Sequence, residues 1–435
     1  MHSMPIIRSS LPINKRWALH DVIGIVLGIA LPLLAAALYR TYGIVVTPNW
    51  LELTRQMGMP FVAGEIAVFV WARRSGFDPA ALLGALPQMM RWGLLLFTGT
   101  FWISSLLISQ NPSFSMALTL IWIVHLLFAG ATYHLVRGRT AFDVFRFAAL
   151  MSIGLALLVA WTAIHFLLPP EGLVVEWGLR GWGAAIPGFI SHRLFGAWAG
   201  GIAVLLLGLL WQAASPTATR WWLLPAFMLA VTTAAWTGTR GAVLGLAVGG
   251  IAGMLMSGRP ANRAFFWAVP ATIVLGTLIG MALTPYGDPA FMFFRPGTYG
   301  TVNEASSGRL AYWLAALRVV AEHPWVGSGA GSCWWLVSDN GLHHVQPHNA
   351  LIQFLLSWGI VPTASLIVLL GWATWRVHRI ARAVPAIVPL VMMLDALLAM
   401  SMVDGMLYFA RFLMLVSALY AICLASARVT PRGRT

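Results

Sequence analysis

The segment SSGRLAYWLAALRVVAEHPWVGSGAGSCWWLVSDNGLHHVQPHNALIQFLLSWG, from Ser306 to Gly359, is the longest part of the chain that does not read as membrane-spanning. It holds Arg309 on an amphipathic stretch, a glycine-rich turn and a cluster made of His343, His344 and His348. An apolar stretch follows directly. The rest of the chain reads as a hydrophobic scaffold, so this polar segment is the first place to look for function.

The composition is that of a membrane protein. Of 435 residues 59% are hydrophobic and only 9% are charged, and the mean hydropathy is +0.80. A soluble domain has about a quarter of its residues charged. The net charge of +14 is explained better by arginines in cytoplasmic loops than by a nucleic-acid partner. We therefore predict an integral membrane protein that does not bind nucleic acid.

Apolar runs that cross a hydrocarbon core of about 30 Å need roughly 20 helical residues. We predict twelve such spans, at about 21–39, 57–72, 92–109, 114–136, 146–168, 194–213, 221–238, 240–257, 264–284, 350–374, 384–402 and 405–427. Lys15 and Arg16 precede the first run as in a signal peptide, but no clean cleavage site follows, which favours an uncleaved span. The predicted fold is an all-α integral membrane protein with residues 1–435 in one polytopic domain.

The basic residues indicate how these spans are oriented. With both termini in the cytoplasm, eighteen of the 27 basic residues lie on the cytoplasmic side and nine do not. This asymmetry follows the positive-inside rule. Residues 285–349 then form a large, partly helical loop on the outer face, between the ninth and tenth spans. We expect a bacterial inner-membrane protein with this loop in the periplasm.

Nine arginines are not explained by orientation: Arg40, Arg55, Arg180, Arg193, Arg240, Arg295, Arg309, Arg318 and Arg411. Arginine in or near a membrane is costly and needs a partner, although snorkelling to the interface or a structural ion pair is an alternative for each. Arg240 lies in the short link Thr237-Gly238-Thr239-Arg240-Gly241, where Thr239 is expected to cap the next helix. Because a helix N-terminus favours an anion, Arg240 predicts an anion-binding position.

A helix is predicted from a cap at Ser306 or Ser307 to about Glu322, where Pro324 ends it. Its predicted buried stripe is Leu310, Leu314, Leu317 and Ala321. Arg309 and Arg318 should face opposite ways, with Arg309 beside Tyr312 and Trp313. The turn Gly327–Gly331 is interpreted as flexible with exposed amides, and glycine here is explained by phosphate contact or by a tight turn alone.

The three histidines first suggest a metal site, but Asp339 is the one nearby carboxylate and no cysteine is close. We favour instead a single neutral imidazole, His348, at the mouth of a helix that begins near Asn349. A neutral imidazole is a usable general base. The alternative is a histidine that only closes the helix end.

These motifs, in this order, resemble those of the bacterial O-antigen ligase superfamily, which includes O-antigen ligases, O-antigen polymerases and protein O-oligosaccharyltransferases. The matching residues are His348-Asn349 with Gly359, Ser307-Gly308-Arg309 with Trp313, His323-Pro324 with Gly327 and Gly329, Thr239-Arg240-Gly241, and Arg193 with Gly196. The resemblance covers residues 190–375, which would form the family-like core.

The resemblance implies a C-type glycosyltransferase-like fold and a metal-independent, inverting glycan transfer that needs no cofactor. The donor would be an undecaprenyl-diphosphate-linked glycan among membrane lipids, and the acceptor the hydroxyl of a lipid A-core sugar or another glycan. His348 would take the acceptor proton, while Arg240 and Arg309 would hold the diphosphate. The further substrate contacts implied are Arg193, Asn349, Tyr312, Trp313 and His344.

Other functions remain open at this point. A polymerase that joins repeat units, or a protein glycosyltransferase, would use the same residues with a different acceptor. A flippase or small-solute transporter would need ionisable groups inside the membrane, for which Glu65, His125, His165 and Asp395 are the candidates. They are scattered, whereas the polar cluster lies on one face, which favours an enzyme.

Overall fold

The architecture comes from a computed structural model, which describes residues 19–39, 50–137, 142–168, 186–213, 221–258, 263–284, 308–339, 342–343 and 345–428. The helices before the polar segment are α1 (Leu19–Leu38, π-helical over Val26–Ala30), α2 (Trp50–Met57), α3 (Met59–Arg74), α4 (Pro79–Gly84), α5 (Gln88–Ile108), α6 (Pro112–Val136), α7 (Val144–Leu167), α8 (His192–Gln212), α9 (Leu223–Trp236), α10 (Arg240–Met256) and α11 (Arg263–Ala282). The later helices are α12 (Arg309–Glu322), α13 (Cys333–Leu336), α14 (Ala350–Trp358), α15 (Ile360–Ala383), α16 (Pro385–Asp404) and α17 (Ala410–Ala425).

The described part of the chain is almost entirely helical, as predicted. It contains eight helices that are long and apolar enough to cross a membrane: α1, α5, α6, α7, α8, α11, α15 and α16. Helices α9, α10 and α17 are apolar but shorter. The protein is therefore a multi-pass helical membrane protein, and the number of twelve spans stays a prediction. One short antiparallel hairpin, which the sequence did not predict, pairs Ser338–Asp339 with Leu342–His343.

Helices α8, α16 and α17 form the centre of the bundle. Most residues of α8 from Leu194 to Leu209 are buried, and so are most of those in α16 and α17. Helix α10 packs closely on this centre, because a side chain at Gly249 would lie 2.4 Å from Val204. Small residues allow such close helix contacts in membranes. Helices α11 and α15 lie outside and expose apolar side chains such as Trp267 and Ile367.

The predicted span 350–374 is wrong in one respect, because it consists of two helices that meet at Gly359. Gly359 has a φ of 79°, and a Cβ there would lie 2.4 Å from the carbonyl carbon of Trp325. A side chain at Gly327 would likewise lie 2.4 Å from the Trp358 nitrogen. The two glycines let the two backbones touch, and this contact breaks the helix.

The turn Gly327–Gly331 is not exposed, contrary to the prediction. All five residues are buried. The amides of Ser328 and Gly329 donate to the carbonyl oxygens of Leu356 and Ser357 at 2.8 and 2.9 Å. These amides cap the end of α14 and so are not available to a phosphate.

Helix α12 reaches Glu322 as predicted, but its cap and its buried face differ. Gly308, with a φ of 80°, occupies the N-cap, and Ser306 and Ser307 lie outside the described residues. The buried residues are Tyr312, Ala316 and Val320, whereas Leu310, Leu314, Leu317 and Ala321 are exposed. Both faces are apolar, so the sequence pattern alone could not select the one that packs on α14.

Candidate functional site

His348 lies at the mouth of helix α14. Asn349 is the N-cap, and its Oδ1 accepts a hydrogen bond from the Ile352 amide at 3.1 Å. His348 directly precedes this cap. Its backbone φ is 56°, in the left-handed region that few residues other than glycine adopt. The imidazole is therefore held half-buried at a helix N-terminus, where the sequence placed it.

Gln346 determines which imidazole nitrogen of His348 carries the proton. The backbone amide of His348 donates to Gln346 Oε1, so the amide end of the glutamine, Nε2, faces His348 Nδ1 at 3.0 Å. Because Nε2 can only donate, Nδ1 is the acceptor. Neutral His348 therefore carries its proton on Nε2 in this structure.

Gly405 supports the Gln346–His348 turn from the opposite side. It follows helix α16 with a φ of 60°. A Cβ at this position would lie 1.9 Å from Gln346 Oε1 and 3.1 Å from the Cα of His348. Only glycine allows this approach, so residue 405 and the His348 segment form one contact.

Arg309 is anchored at the end of helix α16. Its Nη2 donates to Asp404 Oδ1 at 2.7 Å, and its Nη1 donates to the Val403 carbonyl. The Arg309 side chain is 17% exposed, and the Asp404 side chain is 5% exposed. A cation is also favoured by the negative end of a helix dipole. Arg309 therefore has a fixed position before any ligand binds.

The Asp404 carboxylate also contacts the beginning of helix α10. A Cβ on Gly241 would lie 2.3 Å from Asp404 Oδ2, so this helix end leaves room for the carboxylate only because residue 241 is glycine. An anion is stabilised at a helix N-terminus. Arg240, the first residue of α10, is exposed beside this contact.

The link before Arg240 interlocks with the N-terminus of helix α8. Thr239 is the N-cap residue as predicted, but its side chain makes no cap hydrogen bond. Its Oγ1 instead donates to the Arg193 carbonyl at 3.3 Å and lies 2.8 Å from Thr237 Oγ1. Gly196 makes room, because a Cβ there would lie about 2 Å from both hydroxyls. The backbones that carry Arg193 and Arg240 are thus direct neighbours.

These contacts bring four predicted site residues into one network. Arg193 and Arg240 meet through Thr239, Arg240 adjoins the Asp404–Arg309 pair, and Gly405 connects that pair to His348. Trp313 belongs to the same network, since its Nε1 donates to the Pro347 carbonyl at 2.7 Å. The roles of these residues in binding and catalysis stay predictions.

Tyr312 faces the interior of the polar segment. It is buried, and its hydroxyl donates to the Val337 carbonyl at 3.1 Å and lies 3.4 Å from Cys333 Sγ. Burial raises the pKa of the Cys333 thiol to about 12, and the Tyr312 hydrogen bond offsets part of the rise. Both side chains therefore hold the segment together, and contact of Tyr312 with substrate stays a prediction.

His344, the remaining candidate contact, lies outside the described residues.

The structure adds Asp404, Gly405 and Gln346, which sequence reasoning missed. Asp404 falls in the gap between the predicted spans 384–402 and 405–427. A carboxylate at a span end, in a chain with only 13 acidic residues, was the signal that could have identified it.

The fold and the polar network define a multi-pass helical membrane protein with an arginine- and histidine-bearing site where several helices end. The family model described as "O-Antigen ligase" matches residues 225–367, which include Arg240, Arg309 and His348. An O-antigen ligase of Pseudomonas aeruginosa is 31% identical over 100 residues, which span 23% of this chain and 24% of that relative. The resemblance to the O-antigen ligase superfamily is thereby confirmed.

Proposed function

We propose that this protein is a glycosyltransferase of the O-antigen ligase type. It moves a glycan from undecaprenyl diphosphate to an acceptor hydroxyl, with a lipid A-core sugar as the favoured acceptor. The observation that carries the proposal is Asp404, which links Arg309 to the helix end beside Arg240 while the next residue supports His348.

The charge of the site suits a diphosphate. Arg193, Arg240 and Arg309 each carry a positive charge, and Arg309 pairs with Asp404. A diphosphate diester carries one negative charge on each phosphate, which guanidinium groups complement. Arginine offers planar, bidentate donors for phosphate oxygens and stays charged.

The reaction requires that one bond forms while another breaks. The acceptor oxygen attacks the anomeric carbon, the bond from that carbon to the diphosphate oxygen breaks, and the leaving oxygen keeps the electron pair. Arg240 and Arg309 stabilise the charge that develops on it, with Arg193 assisting. Attack from the opposite face gives inversion.

His348 can act in two ways, as a base through its unprotonated Nδ1 or as a hydrogen-bond donor through its Nε2 proton. As the base it takes the acceptor proton on Nδ1, after Gln346 Nε2 has turned away from that atom. As a donor its Nε2 proton binds a diphosphate oxygen and no base is required. We favour the base, because an acceptor hydroxyl becomes a stronger nucleophile as it loses its proton.

The site belongs on the outer side of the membrane in this proposal. Both termini are cytoplasmic, twelve spans cross the inner membrane, and residues 285–349 form the periplasmic loop within a core of residues 190–375. The described part of that loop carries Arg309 and His348.

The test is transfer by purified protein supplied with polyprenyl-diphosphate-linked glycan and lipid A-core in EDTA. Wild type should form product, His348→Ala and Arg309→Ala should lose it, and the exposed Arg318→Ala on the same helix should retain it. Lengthening of the lipid-linked glycan without transfer to lipid A-core would favour a polymerase. Transfer to a protein would favour an oligosaccharyltransferase. Movement of an intact lipid-linked glycan without any transfer would favour a flippase.

A further inference from the structure

Two buried ionisable residues are not used by the proposed reaction. Glu65 on α3 and His125 on α6 have 0% and 2% of their surface exposed. The Nδ1 atom of His125 lies 2.6 Å from Glu65 Oε2. A buried pair of this kind costs free energy of desolvation and is weak evidence for stability, so it invites a functional explanation.

The imidazole borders a small internal cavity of about 20 Å³. Its wall includes the polar residues His125, Gln353, Ser357, Trp358 and Tyr408, together with Trp122. Four buried polar atoms of these residues have no hydrogen-bond partner in the described part of the chain: His125 Nε2, Gln353 Oε1, Trp358 Nε1 and the Tyr408 hydroxyl. A buried polar atom left without a hydrogen bond destabilises the fold, so these four atoms favour a polar occupant of the cavity.

The donors and acceptors around the cavity are complementary to water. His125 Nε2 accepts when the ring proton lies on Nδ1 and donates when Nε2 carries a proton. Gln353 Nε2 is committed to Ser357 Oγ at 3.1 Å, which leaves Gln353 Oε1 as an acceptor. Trp358 Nε1–H is a donor, and the Tyr408 hydroxyl donates or accepts, so it complements either role of His125 Nε2. Two acceptors and two donors suit the two protons and two lone pairs of one water molecule.

The volume agrees with this assignment. A cavity holds a water molecule when the space open to the centre of a water-sized sphere is about 10–15 Å³ and when two to four polar partners line it. The cavity beside His125 offers about 20 Å³ of that space. A metal ion or other cation would oppose the two donors, and an anion would oppose the two acceptors. The wall therefore selects water among small ligands.

The cavity shares its walls with the candidate active site. Gln353 lies on α14, one turn after His348. Its backbone amide donates to the Asn349 carbonyl at 2.9 Å. Tyr408 belongs to the turn that begins at Gly405, and its amide donates to the Gly405 carbonyl at 3.2 Å. The same two segments thus hold His348 above and the cavity below.

We propose that this cavity is a built water site through which the buried Glu65–His125 pair exchanges its proton with bulk water. The titratable groups facing His125 are Glu65 from α3 and Tyr408 from the turn after α16; helix α14 contributes only uncharged groups. The inference concerns hydration and proton exchange, so it does not depend on the glycosyltransferase proposal.

Bound water can be tested by X-ray hydroxyl-radical footprinting of the full chain in detergent, with oxidation read by mass spectrometry. Radicals formed from an internal water should oxidise Trp358 and Tyr408 although both are buried. Trp198 is the internal control, because it is equally buried with its Nε1 unpartnered among the described residues but does not border the cavity. Labelling of Trp358 and Tyr408 no higher than that of Trp198 would overturn the proposal.

Proton exchange is tested by solid-state ¹⁵N NMR of histidine-labelled protein after transfer to D₂O. The His125 signal, assigned by its loss in His125→Gln, should exchange its ring proton in wild type and exchange more slowly in Gln353→Leu. The matched control Thr132→Val removes a buried hydroxyl on the same helix that borders a different, apolar cavity, and it should leave exchange unchanged. A His125 proton that persists in folded wild type would contradict the proposal, whatever the variants do.

Discussion

Arg309 and Asp404 form an ion pair with Nη2 and Oδ1 2.7 Å apart, although 95 residues separate them in the chain. The pair joins the first residue of α12 to the last residue of α16. The Asp404 carboxylate also lies against Gly241 at the N-terminus of α10, and the next residue, Gly405, lies against the His348 turn. Four separate segments therefore depend on one contact.

The first prediction concerns this ion pair. Asp404→Ala should lower the free energy of unfolding by about 2 kcal/mol, because a partly buried guanidinium loses its charged partner. A double-mutant cycle with Arg309→Ala, read by steric-trap unfolding, should give a coupling free energy of about 1–3 kcal/mol.

Arg318→Ala is the control for this cycle, since Arg318 is exposed on the same helix. It should change the free energy of unfolding by less than about 0.5 kcal/mol. Additive effects of Asp404→Ala and Arg309→Ala would show that the contact is not formed in the membrane protein.

The second prediction concerns Gly405. Gly405→Ala should displace Gln346 and thereby His348, because the new Cβ would lie 1.9 Å from Gln346 Oε1. If the proposed function holds, the transfer rate should fall about 10- to 100-fold, as when a partner that orients a functional histidine is lost.

Gly76→Ala separates this clash from backbone strain. Gly76 also has a positive φ, of 90°, but a Cβ there meets nothing within 4 Å. It should cost about 1 kcal/mol of stability and leave the transfer rate unchanged. Equal losses of rate in both variants would refute the positioning role of residue 405.

The third prediction concerns the tautomer of His348. The ¹⁵N spectrum of neutral His348 should show a protonated Nε2 and an unprotonated Nδ1, because Gln346 Nε2 donates to Nδ1. Gln346→Glu should move the proton of neutral His348 to Nδ1, because a carboxylate accepts a hydrogen bond and cannot donate one. A wild-type spectrum with the proton on Nδ1 would show that the Gln346 contact is wrong.

The fourth prediction concerns the Cys333 thiol. Its pKa is raised to about 12 by burial, from an ordinary value of 9.0. An unfolded chain therefore ionises Cys333 at lower pH than the folded chain does. The resulting stability is fully present below about pH 9 and is lost as the pH rises towards 12.

Maleimide labelling in a Cys423→Ala background measures this directly. Cys333 should react slowly in folded protein at neutral pH and rapidly after unfolding, because the thiolate is the reactive form. Cys333→Ser in the same background should flatten the fall in stability between pH 9 and 12. Fast labelling of folded protein would contradict the burial of this thiol.

The fifth prediction concerns the break between α14 and α15. Gly359→Ala should destabilise the protein by several kcal/mol, because a side chain would lie 2.4 Å from the Trp325 backbone. Gly371→Ala in the interior of α15 has open space around its new Cβ and should be neutral or stabilising by about 0.5–1 kcal/mol. Thermal unfolding compares the two, and similar midpoints would contradict the Gly327–Gly359 contact.

Several elements could be predicted because they depend on local signals. Apolar length located the long helices, Pro324 located the end of α12, and the His348-Asn349 pair located the start of α14. Three of the nine arginines that orientation did not explain, Arg193, Arg240 and Arg309, lie in the network at the helix ends. Each of these signals involves residues that are close together in the chain.

Other elements could not be predicted because they depend on distant partners. Helix α12 has two apolar faces, and only packing on α14 determines that Tyr312, Ala316 and Val320 are buried. The glycines 327–331 read as an exposed turn until the carbonyls of Leu356 and Ser357 accept from their amides.

Composition, apolar length and positive-charge asymmetry are sums over the chain, so the sequence was enough to establish a multi-pass helical membrane protein and its polar segment. The pairing of Arg309 with Asp404, the support of His348 by Gln346 and Gly405, and the cavity beside His125 appear only in the tertiary structure. The physical reason is that a charge or a lone pair acquires its chemistry from its neighbours in space. Asp404 lies 95 residues from Arg309 and Glu65 lies 60 residues from His125, and even the nearby Gln346 is held against His348 by the distant Gly405.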